Sequence, residues 1–116
     1  MTRNYSAELD SLTRLRGVRG AMVVVVSDGV VVAASLMEGI KGNTLAALAA
    51  SLAGRVASVT ESAGCGTPRL FHLQAGDGAL FAAPGGADLL LVMLAGPEVP
   101  LGLARLELLR VAERLA

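Results

Sequence analysis

The chain has 116 residues, ten basic and ten acidic side chains, 53% hydrophobic residues and only 3% aromatic ones. That length predicts a single domain over residues 1–116. The balanced, scattered charge and scarce aromatics supply neither the basic patch nor the stacking platforms that nucleic acid requires. The longest uncharged stretches, Gly42–Gly54 and Leu89–Pro97, are too short to span a bilayer, and a lone Cys65 suits a reducing compartment, so the expectation is a soluble, cytoplasmic protein without membrane insertion.

Residues 1–5 read as a short loose end. Ser6 is placed to cap a first helix, with Glu8 and Asp10 near its positive end and Leu9, Leu12 and Leu15 at helical spacing until Gly17 and Gly20. Two β-branched runs follow, Ala21–Ser27 and Val30–Ser35, joined by Asp28-Gly29, a strong hairpin signal because both turn positions favour positive φ. Continuous valine without alternation predicts that both faces of this hairpin are covered.

A second helix is predicted from a cap at Asn43 or Thr44 to about Ala63. Leu45, Leu48, Leu52, Val56 and Val59 form one stripe, Ala46, Ala49, Ala50, Ala53 and Ala57 the adjoining one, and Ala47, Ser51, Gly54 and Ser58 the next. Arg55 is the only charge between Lys41 and Glu61. A helix with so little solvated surface is expected to send its branched stripe into the core. Its alanine stripe would then admit a second helix at close range, most simply from another copy of the chain.

After the breaker cluster Gly64–Pro68 come three strands, Arg69–Gln74, Ala79–Ala83 and Asp88–Leu94, separated by Gly76-Asp77-Gly78 and Pro84-Gly85-Gly86. A last helix beyond Pro100 is expected to bury Leu101, Leu108, Val111, Ala112 and Leu115 and to expose Arg105, Arg110, Glu113 and Arg114. The fold class is therefore α+β. A single five-stranded antiparallel sheet carries helices on both faces, in the order α-β-β-α-β-β-β-α.

Chemistry is sparse. His72 is the only histidine, so any imidazole base must use it, and Cys65 with His72 is the one conceivable nucleophile–base pair. No set of metal ligands stands out, and no cofactor is expected. Gly39–Thr44 precedes a helix but lacks the Gly-Lys-Ser/Thr order of a phosphate loop, since Lys41 comes before Gly42. Asp28, Asp77 and Asp88 occupy turn positions, where aspartate is an ordinary choice. Charged residues make up 17% of the chain against roughly 25% for an average domain, and this surplus of apolar surface calls for a partner. The expectation is a binding module, not an enzyme.

Gly20–Val24 leading into Ser27–Ala33, the Ala-rich helix, the strand after Pro68, Gly76-Asp77-Gly78, Pro84-Gly85-Gly86 and Leu89–Ala95 together resemble the roadblock family of dynein light chains. The resemblance runs from Ser6 to Ala116 and implies the roadblock/profilin-like fold. It also implies a homodimer whose third strands pair edge to edge, with the second helices side by side. Together with the alanine stripe, this gives an expected interface of Ala46, Ala50, Ala53, Ala57, Leu70, Phe71 and His72. Family members are implied to regulate or scaffold a Ras-like small GTPase, and in gliding motility to speed its hydrolysis by rearranging the partner's own catalytic groups. Arg55 is accordingly not expected to act as an inserted arginine, although Ser51, Arg55 and Ser58 are the exposed positions expected to touch the GTPase. A cargo scaffold without effect on hydrolysis and, further off, a small ligand-binding domain are the alternatives.

Overall fold

A computed structural model describes residues 4–115, so most of the predicted loose end at 1–5 lies outside the described residues. The elements are α1 (Ser6–Thr13), β1 (Val18–Val25), β2 (Val30–Leu36), α2 (Gly42–Ser62), β3 (Phe71–Ala75), β4 (Gly78–Pro84), β5 (Leu89–Ala95) and α3 (Leu101–Arg114). They form one antiparallel five-stranded sheet in the order β2-β1-β5-β4-β3. Element order and fold class are those expected from the sequence.

The valine and leucine runs explain the centre of the sheet. Side chains alternate across a strand, so Ala21 and Val23 of β1 enter one core while Met22 and Val24 enter the other. Leu91 and Met93 of β5 join the first core, and Leu90 and Val92 the second. The first core lies beneath α1 and α3, where Leu9, Leu12, Leu108 and Val111 close over Phe81. The second lies beneath α2 alone. Burying a side chain of Phe81's size stabilises by roughly 2–3 kcal/mol.

Several local expectations change. β1 is covered on both faces as predicted, but β2 is an edge strand with Val30 and Val32 exposed. The connection between them is not a two-residue turn. Residues 26–29 form a longer turn in which the Gly29 N–H donates to the Val25 carbonyl at 2.8 Å, and only Gly29, not Asp28, has positive φ. Ser6 does not cap α1 with its own hydroxyl: Tyr5 is the N-cap, and the Asn4 side chain accepts from the Ser6 N–H and hydroxyl. α2 begins at Gly42 with Lys41 as its N-cap, ahead of Asn43 and Thr44. Leu101 is exposed on α3, along with Leu103 and Leu106.

Asp88 does more than turn the chain. It is the one described non-glycine residue with positive φ, and its carboxylate accepts from the Ser27 N–H at 3.1 Å and from the Ser27 hydroxyl. Its carbonyl accepts from the Val26 N–H at 2.9 Å. The β4–β5 connection is thereby tied to the β1–β2 turn. Among the described residues no helix is long and apolar enough to cross a membrane.

Candidate interaction surface

α2 carries the main correction. Ala46, Ala49 and Ala50 are buried within the protomer against Met22, Val24, Ala82, Leu90 and Val92, so Ala46 and Ala50 are core residues and not a contact stripe. Ala53 and Ala57 are half-buried beside them. The physical reason is proximity: alanine lets the helix backbone lie close on a sheet whose own side chains are bulky. The branched stripe is displaced outward. Leu48 is 64% exposed and Val59 67%, while Leu45, Leu52 and Val56 are half-buried on the shoulder between.

Ser51, Arg55 and Ser58 lie on the outer side of α2, all exposed, with Ser51 three residues from Leu48, Arg55 four from Val59, and Ser58 three beyond Arg55. The Ser58 hydroxyl donates back to the Gly54 carbonyl at 3.2 Å. Arg55 has no ion-pair partner among the described residues. Apolar shoulder, small hydroxyls and one free guanidinium thus form a single surface.

β3 is an open edge of the sheet on the α2 side, although α2 itself packs mainly over β1 and β2. β3 bonds only to β4, and Leu73, 46% exposed, falls on the same side of the sheet as Phe71 and α2. A groove of about 540 Å³ opens there, floored by Leu73, Leu80 and Leu94 and bounded by Ile40, Arg19 and the Gly76–Gly78 turn. Gly78, the first residue of β4, is glycine for a steric reason: a Cβ there would lie 2.6 Å from the Ala95 carbonyl oxygen. Exposed charges mark the two ends of the edge, Arg69 before β3 and Asp77 after it.

On the opposite side, Leu70 packs against the core beneath α1 and α3. His72 stacks on Phe81 with ring centroids 4.2 Å apart, and its Nε2 lies 3.0 Å from Gln74 Oε1. Cys65 is exposed, and its Sγ reaches only the Ala63 carbonyl, at 3.9 Å. No hydrogen bond joins Cys65 to His72, so the structure does not assemble the conceivable pair. No cluster of three metal-ligating side chains is present among the described residues.

The Roadblock/LC7 domain model matches residues 6–95. This chain belongs to the Roadblock/LC7 family. No curated protein matches it in sequence. Among solved structures, a Roadblock/LC7 domain from Streptomyces avermitilis superposes with a TM-score of 0.87 at 19% identity, covering 97% of this chain and 95% of that one. The gliding protein MglB from Thermus thermophilus gives 0.83 at 24% identity, with 95% and 84% covered. An MglB described with a tetrameric arrangement gives 0.85 at 26%, with 95% and 83% covered. The first two likenesses are of fold. α3 lies beyond the matched residues of the Roadblock/LC7 model yet completes the core under β4 and β5.

Proposed function

We propose that this Roadblock/LC7 chain works as a homodimer that regulates or scaffolds a Ras-like small GTPase by surface contact. The observation that carries the reading is the unpartnered side of the molecule. Leu48 and Val59 of α2 stand exposed, and so does Leu73 on the open β3 edge of the same side of the sheet, in a family member similar to an MglB described with a tetrameric arrangement. The charges at the β3 edge favour self-pairing. In antiparallel pairing centred on Leu73, Arg69 of one copy approaches the end of the strand where Asp77 of the other sits, and the same happens at the second end. The paired α2 helices then present Ser51, Arg55 and Ser58 together as a composite face for the GTPase. Its effect would come from the fit of that face to the nucleotide-sensing loops, with no group of this chain entering the reaction.

The test uses the purified chain and a Ras-like small GTPase. Light scattering is expected to give a dimer at micromolar concentration, and the dimer is expected to bind the GTP-loaded GTPase. Phosphate release then separates a regulator, which speeds hydrolysis, from a scaffold, which binds without changing it. A monomer, or a dimer that does not bind the GTPase, would sink the proposal.

A further inference from the structure

The sheet has a second open edge. β2 bonds only to β1, and its seven residues, Val30–Leu36, contain no charge and no proline. Natural edge strands are ordinarily blunted by lysine, proline, an inward-pointing charge, shortness or a bulge. Of these β2 has only the bulge. Val23 pairs with Ala33 and Val24 with Val31, so Val32 is the extra residue, and it stands 44% exposed. α1 and α2 approach β2 from opposite faces of the sheet, which leaves the strand's outer edge as its free side.

The charges around this edge decide what can join it. Asp28 and Glu38, both exposed, stand just beyond its two ends, and neither has an ion-pair partner among the described residues. Lys41 is the only other charge between them and α2, at the helix N-cap. Arg19 is turned away, its guanidinium on the β4 side near Gly78. In antiparallel pairing of β2 with a second copy, centred on Ala33, Asp28 of each copy would approach Glu38 of the other. Parallel pairing in register would set each carboxylate against its own counterpart. Both arrangements bring like charges together at both ends.

We infer that the β2 edge accepts an extended apolar strand of another protein, flanked at both ends by lysine or arginine, as a sixth strand of the sheet. Main-chain hydrogen bonds supply the attachment, Val30 and Val32 supply apolar cross-strand neighbours, and Asp28 and Glu38 select the flanks. The edge lies at the far side of the sheet from β3, so this inference stands apart from the proposed β3 pairing, although Asp28 lines a pocket together with Ser51 of the proposed GTPase face.

The probe is a synthetic peptide of alternating valine and threonine with two lysines at each end, compared with the same strand carrying glutamates instead. Fluorescence anisotropy on the unmodified protein is expected to show the lysine-flanked peptide binding about tenfold tighter, the scale of a few exposed charge pairs reversed in sign. Amide exchange is expected to slow within Val30–Leu36. The double variant Asp28→Lys/Glu38→Lys, with its melting temperature checked against the parent, is expected to reverse the preference. Equal binding of both peptides, or protection confined to other strands, would overturn the inference. So would concentration-dependent growth beyond a dimer that Val32→Lys removes, because a second copy would then be the occupant.

Discussion

The two edges of this sheet are alike in backbone and opposite in charge logic. β3 and β2 are both uncharged strands bonded on one side only. β3 has Arg69 before it and Asp77 after it, so two copies meeting antiparallel bring unlike charges together at both ends. β2 has Asp28 before it and Glu38 after it, so two copies repel. An apolar strand edge alone does not say whether it will pair with itself. The exposed charges just past its ends, worth too little to alter the fold, are what we expect to tip it toward self-association or toward a foreign partner. Such charges act mostly on specificity and encounter, and less on raw affinity.

The comparison presumes that α2 is held by its own sheet through the alanine face. Ala50→Glu tests that most severely. It places a carboxylate on the buried face of α2, at the margin of the second core and on the side of Asp28, at a cost of several kcal/mol, comparable with the stability of a small domain. The variant is expected to be unfolded by circular dichroism at 25 °C. A folded Ala50→Glu that is merely monomeric would return Ala50 to an intersubunit contact.

Leu73→Glu is the next largest effect. Leu73 is at the middle of β3 and exposed, so the fold is expected to survive with its melting temperature within a few degrees of the parent. The dimer is not, because two glutamates would face each other at the two-fold axis. Sedimentation velocity is expected to show monomer at concentrations where the parent is dimeric, a loss of at least about a hundredfold in affinity. A dimer that survives this change does not use the β3 edge.

These residues also show what could be read from the sequence. Strand and helix order was legible, because long valine and leucine runs are punctuated by glycine and proline and need little long-range information. The inward side of α2 was not. Its branched and alanine stripes adjoin, so the apolar sector exceeds half the helix, and periodicity cannot say which part faces the sheet. Docking distance decides, and it favours Ala46, Ala49 and Ala50. The edge position of β2 was hidden for a related reason: Val30–Val32 reads like Val23–Val25, and only the pairing of β1 with β5 separates a central strand from an outer one. Asp88 looked like a turn residue because its tie to Ser27 spans 61 positions. Ser51, Arg55 and Ser58 are exposed as expected, yet Arg55 adjoins Leu48 on the wheel, so its exposure goes with the outward turn of the branched stripe.

A smaller effect sharpens the charge argument itself. Arg69→Asp is expected to weaken the dimer by about tenfold at low salt, and adding Asp77→Arg to the same chain is expected to restore most of it. Raising the salt should shrink both changes. Equal weakening by the single and the double variant would mean that Arg69 and Asp77 do not meet across the axis.

Val32→Lys is expected to do least. The bulged Val32 is exposed on β2, far along the sheet order from β3, and lysine is a residue that natural edge strands carry, so neither stability nor dimer affinity should move by more than about 0.5 kcal/mol. Its value lies in that indifference. If this one lysine dissociated the dimer while Leu73→Glu left it intact, the copies would be meeting at β2. Asp28 and Glu38 would then have to be brought together against their repulsion by apolar contact alone. Two variants on opposite edges of one sheet therefore decide which edge the chain keeps for itself.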